Sequence, residues 1–335
     1  MTRRSIKNSN APDYKDSTLG ELIKRYLKTL RVAKQGTVMT YQTQYNVIRD
    51  EKVMRTKIVD LTPDMLMDWF ERMSRVEGYS FSTLNVWHSG LIKPALDMAM
   101  RNGAILTNPS YFKLNAIISK TSKKGRELTN QEVNALLDYL NTSDDLAAKS
   151  NRGFIKLLLS TGMRVSEMCG LTVDDINFEA RELTVNKQLY RKYGYYTLDT
   201  VKTESGVRTI PLTDMAIEAL HEILDDHGPC QATIQGYAGF ILTNRKGMPA
   251  ERNSLYRKYK NLAETVDEKY GTHLSETTLH SLRHTYCSKL IRSGVSLKVV
   301  QYVMGHKNIS TTLDVYTHIM QQLVKNEIFS AFSGI

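Results

Sequence analysis

Between residues 182 and 212 the sequence reads as short strands broken by turns, and on both sides of that stretch apolar residues recur at helical spacing. Glu182 to Lys187 alternates, Tyr195 to Val201 is rich in aromatic and β-branched residues, and Arg208 to Leu212 supplies a further strand. Lys192-Tyr193-Gly194 and Thr203-Glu204-Ser205-Gly206 have the composition of turns between them. Strands this short and this close in sequence make only a small antiparallel sheet, so most of the apolar surface must be buried helix on helix. The expected fold class is mainly α with a small antiparallel β-sheet (α+β).

Upstream of the strands, Leu19, Leu22, Ile23, Tyr26, Leu27 and Leu30 share a helical face. A second helix is expected from Thr37 to Ile48. Thr62-Pro63 pairs a cap with a proline at the first helical position, ahead of Met65, Leu66, Trp69, Phe70 and Met73. Ser82 is expected to cap a fourth helix that reaches about Arg101, with Pro94 bending it and Asn102-Gly103 ending it. In the second half, Thr129-Asn130-Gln131-Glu132 forms a capping box, and a helix over about 154–160 is stopped by Thr161-Gly162. Helices return at about 213–226, 253–270, 279–293, 296–304 and 310–325.

The polar stretch 113–126 holds Lys120, Lys123, Lys124 and Arg126, with the composition of a linker that lies along phosphates or of a solvated tether. The organisation expected is a flexible basic arm over 1–16, a helical domain over 17–112, a linker over 113–126, a second domain over 127–325 and a tail over 326–335. Net charge follows the same division. Residues 1–125 carry 21 Lys and Arg against 11 Asp and Glu, and the remainder carries 24 of each, so the whole excess of +10 sits in the first third. A basic module beside a neutral one suits a polyanion-gripping part joined to a part with other work, although a solubilising surface has the same signature.

No apolar run approaches the length that spans a bilayer, and the basic N-terminus lacks the apolar stretch of a signal peptide, so a cytoplasmic protein is expected. The three cysteines, Cys169, Cys230 and Cys287, show no paired spacing and suggest neither a disulfide framework nor a zinc site.

Several residues stand out for chemistry. Arg164 follows a predicted helix end at Gly162, and Glu167 lies one helical turn on, where a carboxylate can hold the guanidinium. His280 and Arg283 have i,i+3 spacing at a helix start. His280 and His284 have i,i+4 spacing, but Ser281 stands where a metalloprotease helix carries its acid, so the zinc motif is incomplete. His306 follows Gly305 at a helix end, and Tyr316 falls in the next helix. Taken alone, Tyr316 is one of 18 tyrosines and Lys202 is an ordinary turn lysine.

Four segments taken together and in order resemble the tyrosine recombinase (phage integrase) family. They are Thr-Gly-Met-Arg-Val-Ser-Glu (161–167), Lys-Thr-Glu-Ser-Gly-Val-Arg-Thr-Ile-Pro-Leu (202–212), Leu-His-Ser-Leu-Arg-His-Thr (279–285), and Met-Gly-His followed by Thr-Thr-Leu-Asp-Val-Tyr-Thr-His (304–318). The similarity spans residues 14–325 and is nearest in character to integrases of conjugative transposons and prophages of Gram-positive bacteria. The resemblance implies a helical core-binding domain that holds DNA and a catalytic domain that cuts and rejoins it through a 3′-phosphotyrosine link. It implies Arg164 and Arg283 as the clamp on the scissile phosphate, and Lys202 as the general acid for the departing 5′ oxygen. It further implies His280 in proton transfer, His306 as a donor to phosphate, Tyr316 as nucleophile and Glu167 as support.

The same resemblance implies double-stranded DNA attachment sites as partner and a homotetramer on two duplexes, with an excision factor or DNA-bending protein as accessory. It implies no metal, cofactor or membrane, and a place at the bacterial nucleoid. Larger integrases carry an N-terminal domain for arm-type sites. Only about 16 polar residues precede the first helix here, which argues against arm-site binding. Ile328, Phe329 and Phe332 give the tail an apolar tip expected to dock on a neighbouring protomer. Other tyrosine recombinases, such as a dimer resolvase or an invertase, share these residues. A type IB topoisomerase uses related chemistry on one duplex. A DNA-binding protein that keeps only the fold would not need the intact set, and a metal-dependent nuclease would want clustered carboxylates.

Overall fold

The computed structural model describes residues 14–30, 35–119, 126–192, 194–200, 207–306, 308–310, 312–313 and 315–317. The basic arm up to residue 13, Lys120, Lys123 and Lys124, Lys202 and the apolar tail tip lie outside the described residues. The chain forms two compact units, Met1–Lys124 and Gly125–Ile335.

The first unit is helical. Helix α1 (Leu19–Thr29) opens on a capping box in which the Glu21 N–H donates to Thr18 Oγ1 at 3.3 Å and the Thr18 N–H donates to Glu21 Oε2 at 2.9 Å. Next come α2 (Gln35–Ile48), a 3₁₀ turn (Lys52–Arg55) and α3 (Pro63–Arg75), the last with the expected Thr62 cap and Pro63. Then α4 (Phe81–Asn85) runs through a π-helical stretch (Val86–Ile92) into α5 (Lys93–Arg101). Its cap is Ser80 rather than the expected Ser82, a placement that leaves Tyr79 just outside the helix with its ring edge-on to Trp87 at 4.7 Å. The bend expected at Pro94 takes the form of the π stretch. Proline has no N–H to donate and its ring crowds the carbonyl four residues back, and the wider turn accommodates both. Gly90 sits on that turn, where a Cβ would come within 2.7 Å of the Tyr41 ring.

The core of this unit gathers Trp69, Phe70, Trp87, Leu91 and Leu96. It also takes Leu114 and Ile118 from α6 (Leu114–Ile117) and its end. The stretch after residue 112 therefore belongs to a core before it becomes a link, because its apolar residues recur at helical spacing among the polar ones.

The second unit is built on α8 (Leu146–Thr161), which buries Phe154, Ile155, Leu157 and Leu158. It starts eight residues ahead of the expected helix because Asp145 caps it, accepting the Ala148 N–H at 2.6 Å. Against it pack α7 (Asn130–Thr142), α10 (Asp214–His227), α11 (Arg252–Tyr270) and α12 (Leu279–Arg292). Gly153 brings α10 close, since a Cβ there would lie 2.7 Å from Ile223. The short α9 (Val165–Cys169) follows α8, and α13 (Leu297–Met304) follows α12. The described residues of 309–317 are helical apart from the gaps between them.

The strands divide into two antiparallel sheets rather than one. One has the order β1 (Ile176–Asn177), β2 (Glu182–Val185), β5 (Arg208–Pro211), with Leu183 opposite Ile210 and Val185 opposite Arg208. The other is the hairpin of β3 (Lys187–Lys192) and β4 (Tyr195–Thr200), with Leu189 opposite Leu198. Alternation marks which residues face inward but leaves open which strands pair. Among the described residues no helix is long and apolar enough to cross a membrane.

Candidate active site

The end of α8 sets the first piece. Gly162 takes a left-handed conformation at φ +61°, and a Cβ on it would lie 2.2 Å from Tyr286 Cδ1, so position 162 requires glycine on both counts. The turn buries Met163 and delivers Arg164 to the N-cap of α9, with its side chain about a third exposed. Glu167, one turn into α9, is buried at 1% exposure. Its Oε1 accepts Arg164 Nη1 at 2.7 Å and its Oε2 accepts the Arg164 backbone N–H at 2.8 Å. The ion pair expected from the i,i+3 spacing is present.

Sequence reasoning passed over a second arginine on the same carboxylate. Arg208 opens β5 on the same face as Ile210, which puts a guanidinium in the core. Its Nη2 donates to Glu167 Oε2 at 2.7 Å, its Nη1 to Oε1 at 3.3 Å, and its Nε to the Val303 carbonyl at 2.7 Å. The signal was available. A charged residue two positions from an inward Ile in an alternating strand must itself face inward, and a buried charge needs a partner. Burial alone would push the Glu167 carboxyl up, but the Arg208 hydrogen bond and charge, aided by Arg164, outweigh it and hold its pKa at about 2.

Helix α12 supplies the next group. Its cap is Thr278, while the Thr277 hydroxyl is 2.6 Å from Tyr259 Oη and donates to the Leu274 carbonyl at 2.7 Å. Arg283 is 3% exposed, and its Nη1 donates to the Gly162 carbonyl at 2.7 Å while Nη2 donates to the Met304 carbonyl. Burial first, then the Arg164 charge, lowers its pKa to about 9. His280 lies on the solvent side of the same helix, edge-on to His284 with ring centroids 4.7 Å apart. Partial desolvation by the surrounding protein, followed by His284, Arg283 and Arg164, brings the His280 pKa down to about 4. Among the described residues no group of three or more His, Cys, Asp or Glu is placed to hold a metal ion.

Helix α13 ends at Gly305 in a left-handed conformation, and His306 follows with Nδ1 2.9 Å from Thr312 Oγ1. Burial and then Arg283 and Arg164 lower the His306 pKa to about 4. At neutral pH both rings are uncharged, so each offers one N–H and one acceptor nitrogen. Tyr316 is partly buried against the cluster of Cys287, Ile291, Val300 and Met304, beside the ends of α12 and α13.

The structure therefore brings Arg164, Glu167, His280, Arg283 and His306 together, with Arg208 beneath them and Tyr316 on the adjoining apolar cluster. Arg126, expected along phosphates, is engaged within the second unit. Its Nη1 and Nη2 reach the two Glu132 oxygens at 2.7 and 2.6 Å, and Nη2 also donates to the His273 carbonyl at 2.8 Å.

Among the described residues, three guanidinium charges share one carboxylate, Glu167, which leaves this cluster with an excess of +2. Cations crowded in this way lower one another's pKa, and an entering anion relieves the strain on all of them at once. The arrangement suits a group that gains negative charge as it reacts.

Comparison with known proteins gives one answer. The profile of the phage integrase family matches residues 126–322. The transposase of transposon Tn916 from Enterococcus faecalis is 32% identical over 276 residues, covering 82% of this chain and 67% of that one. A tyrosine recombinase described as XerC-like, from Caldanaerobacter subterraneus, is 26% identical over 96% of this chain and 85% of its own length. A solved structure of the Tn1549 transposon integrase in complex with transposon right-end DNA superposes with a TM-score of 0.84 at 27% identity, covering 94% of this chain and 99% of that one.

Proposed function

This chain belongs to the phage integrase family and is a tyrosine recombinase that acts on DNA in the site-specific recombination of mobile elements or prophages, and we propose that Arg164, Lys202, His280, Arg283, His306 and Tyr316 carry its reaction with Glu167 as support. The observation that carries this reading is the net excess of +2 formed where Arg164, Arg283 and two uncharged histidines converge.

A phosphodiester enters the site as a monoanion. Attack by the Tyr316 oxygen makes a pentacovalent phosphorus with two negative charges, and the excess of +2 matches it. Arginine suits the clamp because its planar fork binds two phosphate oxygens and cannot be silenced by a small pH change. The phenolic proton passes to the acceptor nitrogen of His280, the bond from phosphorus to the 5′ oxygen breaks, and Lys202 gives that oxygen a proton. The products are a 3′-phosphotyrosine ester and a free 5′ hydroxyl. Attack by the 5′ hydroxyl of another strand reverses each step and releases Tyr316, so rejoining needs no ATP. His306, held by Thr312, donates to a phosphate oxygen.

Exchange of both strands between two duplexes requires four cleavages, and with one nucleophile per chain the reacting assembly is a tetramer on two attachment sites. The first unit, whose excess of basic residues is +10 through residue 125, is the module that holds each site. The reaction runs in the bacterial cytoplasm at the nucleoid, with an excision factor or a bending protein setting direction.

The test uses a nicked duplex bearing a core site that this protein selects from a random-sequence library, in EDTA. Wild type should form a covalent protein–DNA adduct and Tyr316→Phe should form none. An adduct with both proteins would move the nucleophile to another residue.

A further inference from the structure

Three consecutive carbonyls at the end of α13 each accept a hydrogen bond from a different arginine. Val303 accepts from Arg208 Nε at 2.7 Å, Met304 from Arg283 Nη2, and Gly305 from Arg164 Nη2 at 3.1 Å. The donors come from β5, α12 and the cap of α9. Carbonyls in the last turn of a helix have no partner within it and sit at the negative end of its dipole, so cations are their natural acceptor-side companions. Gly305 makes the close approach possible, since a Cβ there would lie 2.9 Å from Arg208 Nη1.

Arg208 is as deeply buried as Arg283, and it is set apart by its bonds: Nε, Nη1 and Nη2 all donate to protein acceptors, Val303 and the two Glu167 oxygens. Its guanidinium is spent inside the fold rather than offered to a DNA phosphate. It touches two things that do matter at the phosphate: Glu167, which it shares with Arg164, and the turn from which His306 emerges. We propose that Arg208 is a positioning residue for recombination, fixing the Arg164 guanidinium through Glu167 and the His306 turn through Val303. The proposal rests on the reading that Arg164 and His306 contact the scissile phosphate.

The geometry explains why this position calls for arginine. Its fork covers both Glu167 oxygens while Nε reaches the Val303 carbonyl, three acceptors for one guanidinium. A lysine supplies the charge but not the fork. Without Arg208 the carboxylate answers to Arg164 alone and draws it inward, away from the phosphate, and the Val303 carbonyl loses this donor.

Single-turnover cleavage of the selected nicked duplex tests this, with the scissile phosphate mapped from the wild-type adduct. A second duplex carries a methylphosphonate at that phosphate, which removes one negative charge and so weakens the demand for Arg164. Arg208→Gln should slow adduct formation about 100-fold while duplex binding stays within about 3-fold, the cost expected when a reacting group is misplaced by a fraction of an ångström to one ångström. On the methylphosphonate the deficit should shrink to about ten-fold or less, in parallel with that of Arg164→Ala, because both act on the same charge. Arg208→Lys should recover part of the rate, and it decides the question should Arg208→Gln not fold. Near-normal cleavage by these variants, or an equal loss on both duplexes, would overturn the proposal, the second result marking a general loosening of the fold. An adduct formed by Tyr316→Phe would instead overturn the nucleophile assignment beneath it.

Discussion

The two units are both rich in charge and place it in opposite ways. Among the described residues, the first unit buries no Asp, Glu, Lys or Arg, and its fully buried polar residues are Ser17, His88, Asn108 and Ser110. The second unit is neutral in total yet buries Glu132, Lys156, Glu167, Asp175, Lys187, Arg208 and Arg283. Surface charge acts over the length of a DNA duplex and is screened by salt. Buried charge acts on one atom at short range and is barely screened. On the proposed reading, net charge marks the part that holds the polyanion and says nothing of the part that transforms it. The second unit hides its chemistry behind a sum of zero.

The sharpest way to break this comparison is to remove a buried-site cation and ask whether binding follows. Arg164→Ala should cut the rate of adduct formation about 1000-fold with duplex affinity largely kept. Equal losses in gel-shift affinity and cleavage would mean the second unit also does the holding. Next in size is stability. Glu167→Gln leaves Arg208 buried with no counter-charge and should cost about 3–5 kcal/mol. The two tryptophans, Trp69 and Trp87, both lie in the first unit, so their fluorescence reports that unit alone. In urea, the far-ultraviolet dichroism transition should move to lower denaturant while the tryptophan transition stays. A joint shift would show that the units share their stability.

The third prediction concerns acid. The folded-state pKa values of His280 and His306, about 4, lie below the ordinary value of 6.5, so the unfolded chain binds more protons between those limits. Their contribution is intact above pH 6.5, is lost as pH falls towards 4, and changes no further below. Glu167, held at about 2 against an ordinary 4.5, adds a loss only at still lower pH. The one histidine of the first unit, His88, is also lowered, chiefly by burial. Melting temperature should thus fall between pH 6.5 and 4.5, more steeply for the second unit, and His306→Gln should flatten the curve. The smallest effect is expected at a surface pair in the first unit. Arg75 is 74% exposed beside Glu71, and Arg75→Gln should change stability by no more than about 0.5 kcal/mol. A larger shift in the tryptophan transition would contradict the view that this unit's charges are all solvent business.

Much of this was legible in the sequence where a local rule decides the outcome. Capping boxes at Thr18 and Thr129, Pro63 at a helix start and the Glu167 partner of Arg164 are short-range matters, and the structure has them. What escaped is what depends on distant parts of the chain. The separation of β3 and β4 from the three-stranded sheet is a question of pairing, which alternation leaves open. The early start of α8 followed from Asp145, a cap set before a weakly patterned Leu-Ala-Ala-Lys. Arg126 was legible only as a basic linker residue, along phosphates or solvated, because its neighbours in sequence are basic, whereas its neighbours in space are Glu132 and His273. Arg208 lay inside a recognised segment, but its worth came from Glu167 and Val303, 41 and 95 positions away.

Gly162 and Gly305 carry no reactive group, yet each is a seat for an arginine. Gly162 presents its carbonyl to Arg283 beneath the Tyr286 ring, and Gly305 makes room for the Arg208 fork. Gly78, Gly103 and Gly294 share their left-handed backbone but face open space. In a library of single-codon variants selected for recombination, asparagine should survive at those three positions and be purged at 162 and 305. Heredity would then guard two residues without side chains as strictly as the arginines they serve.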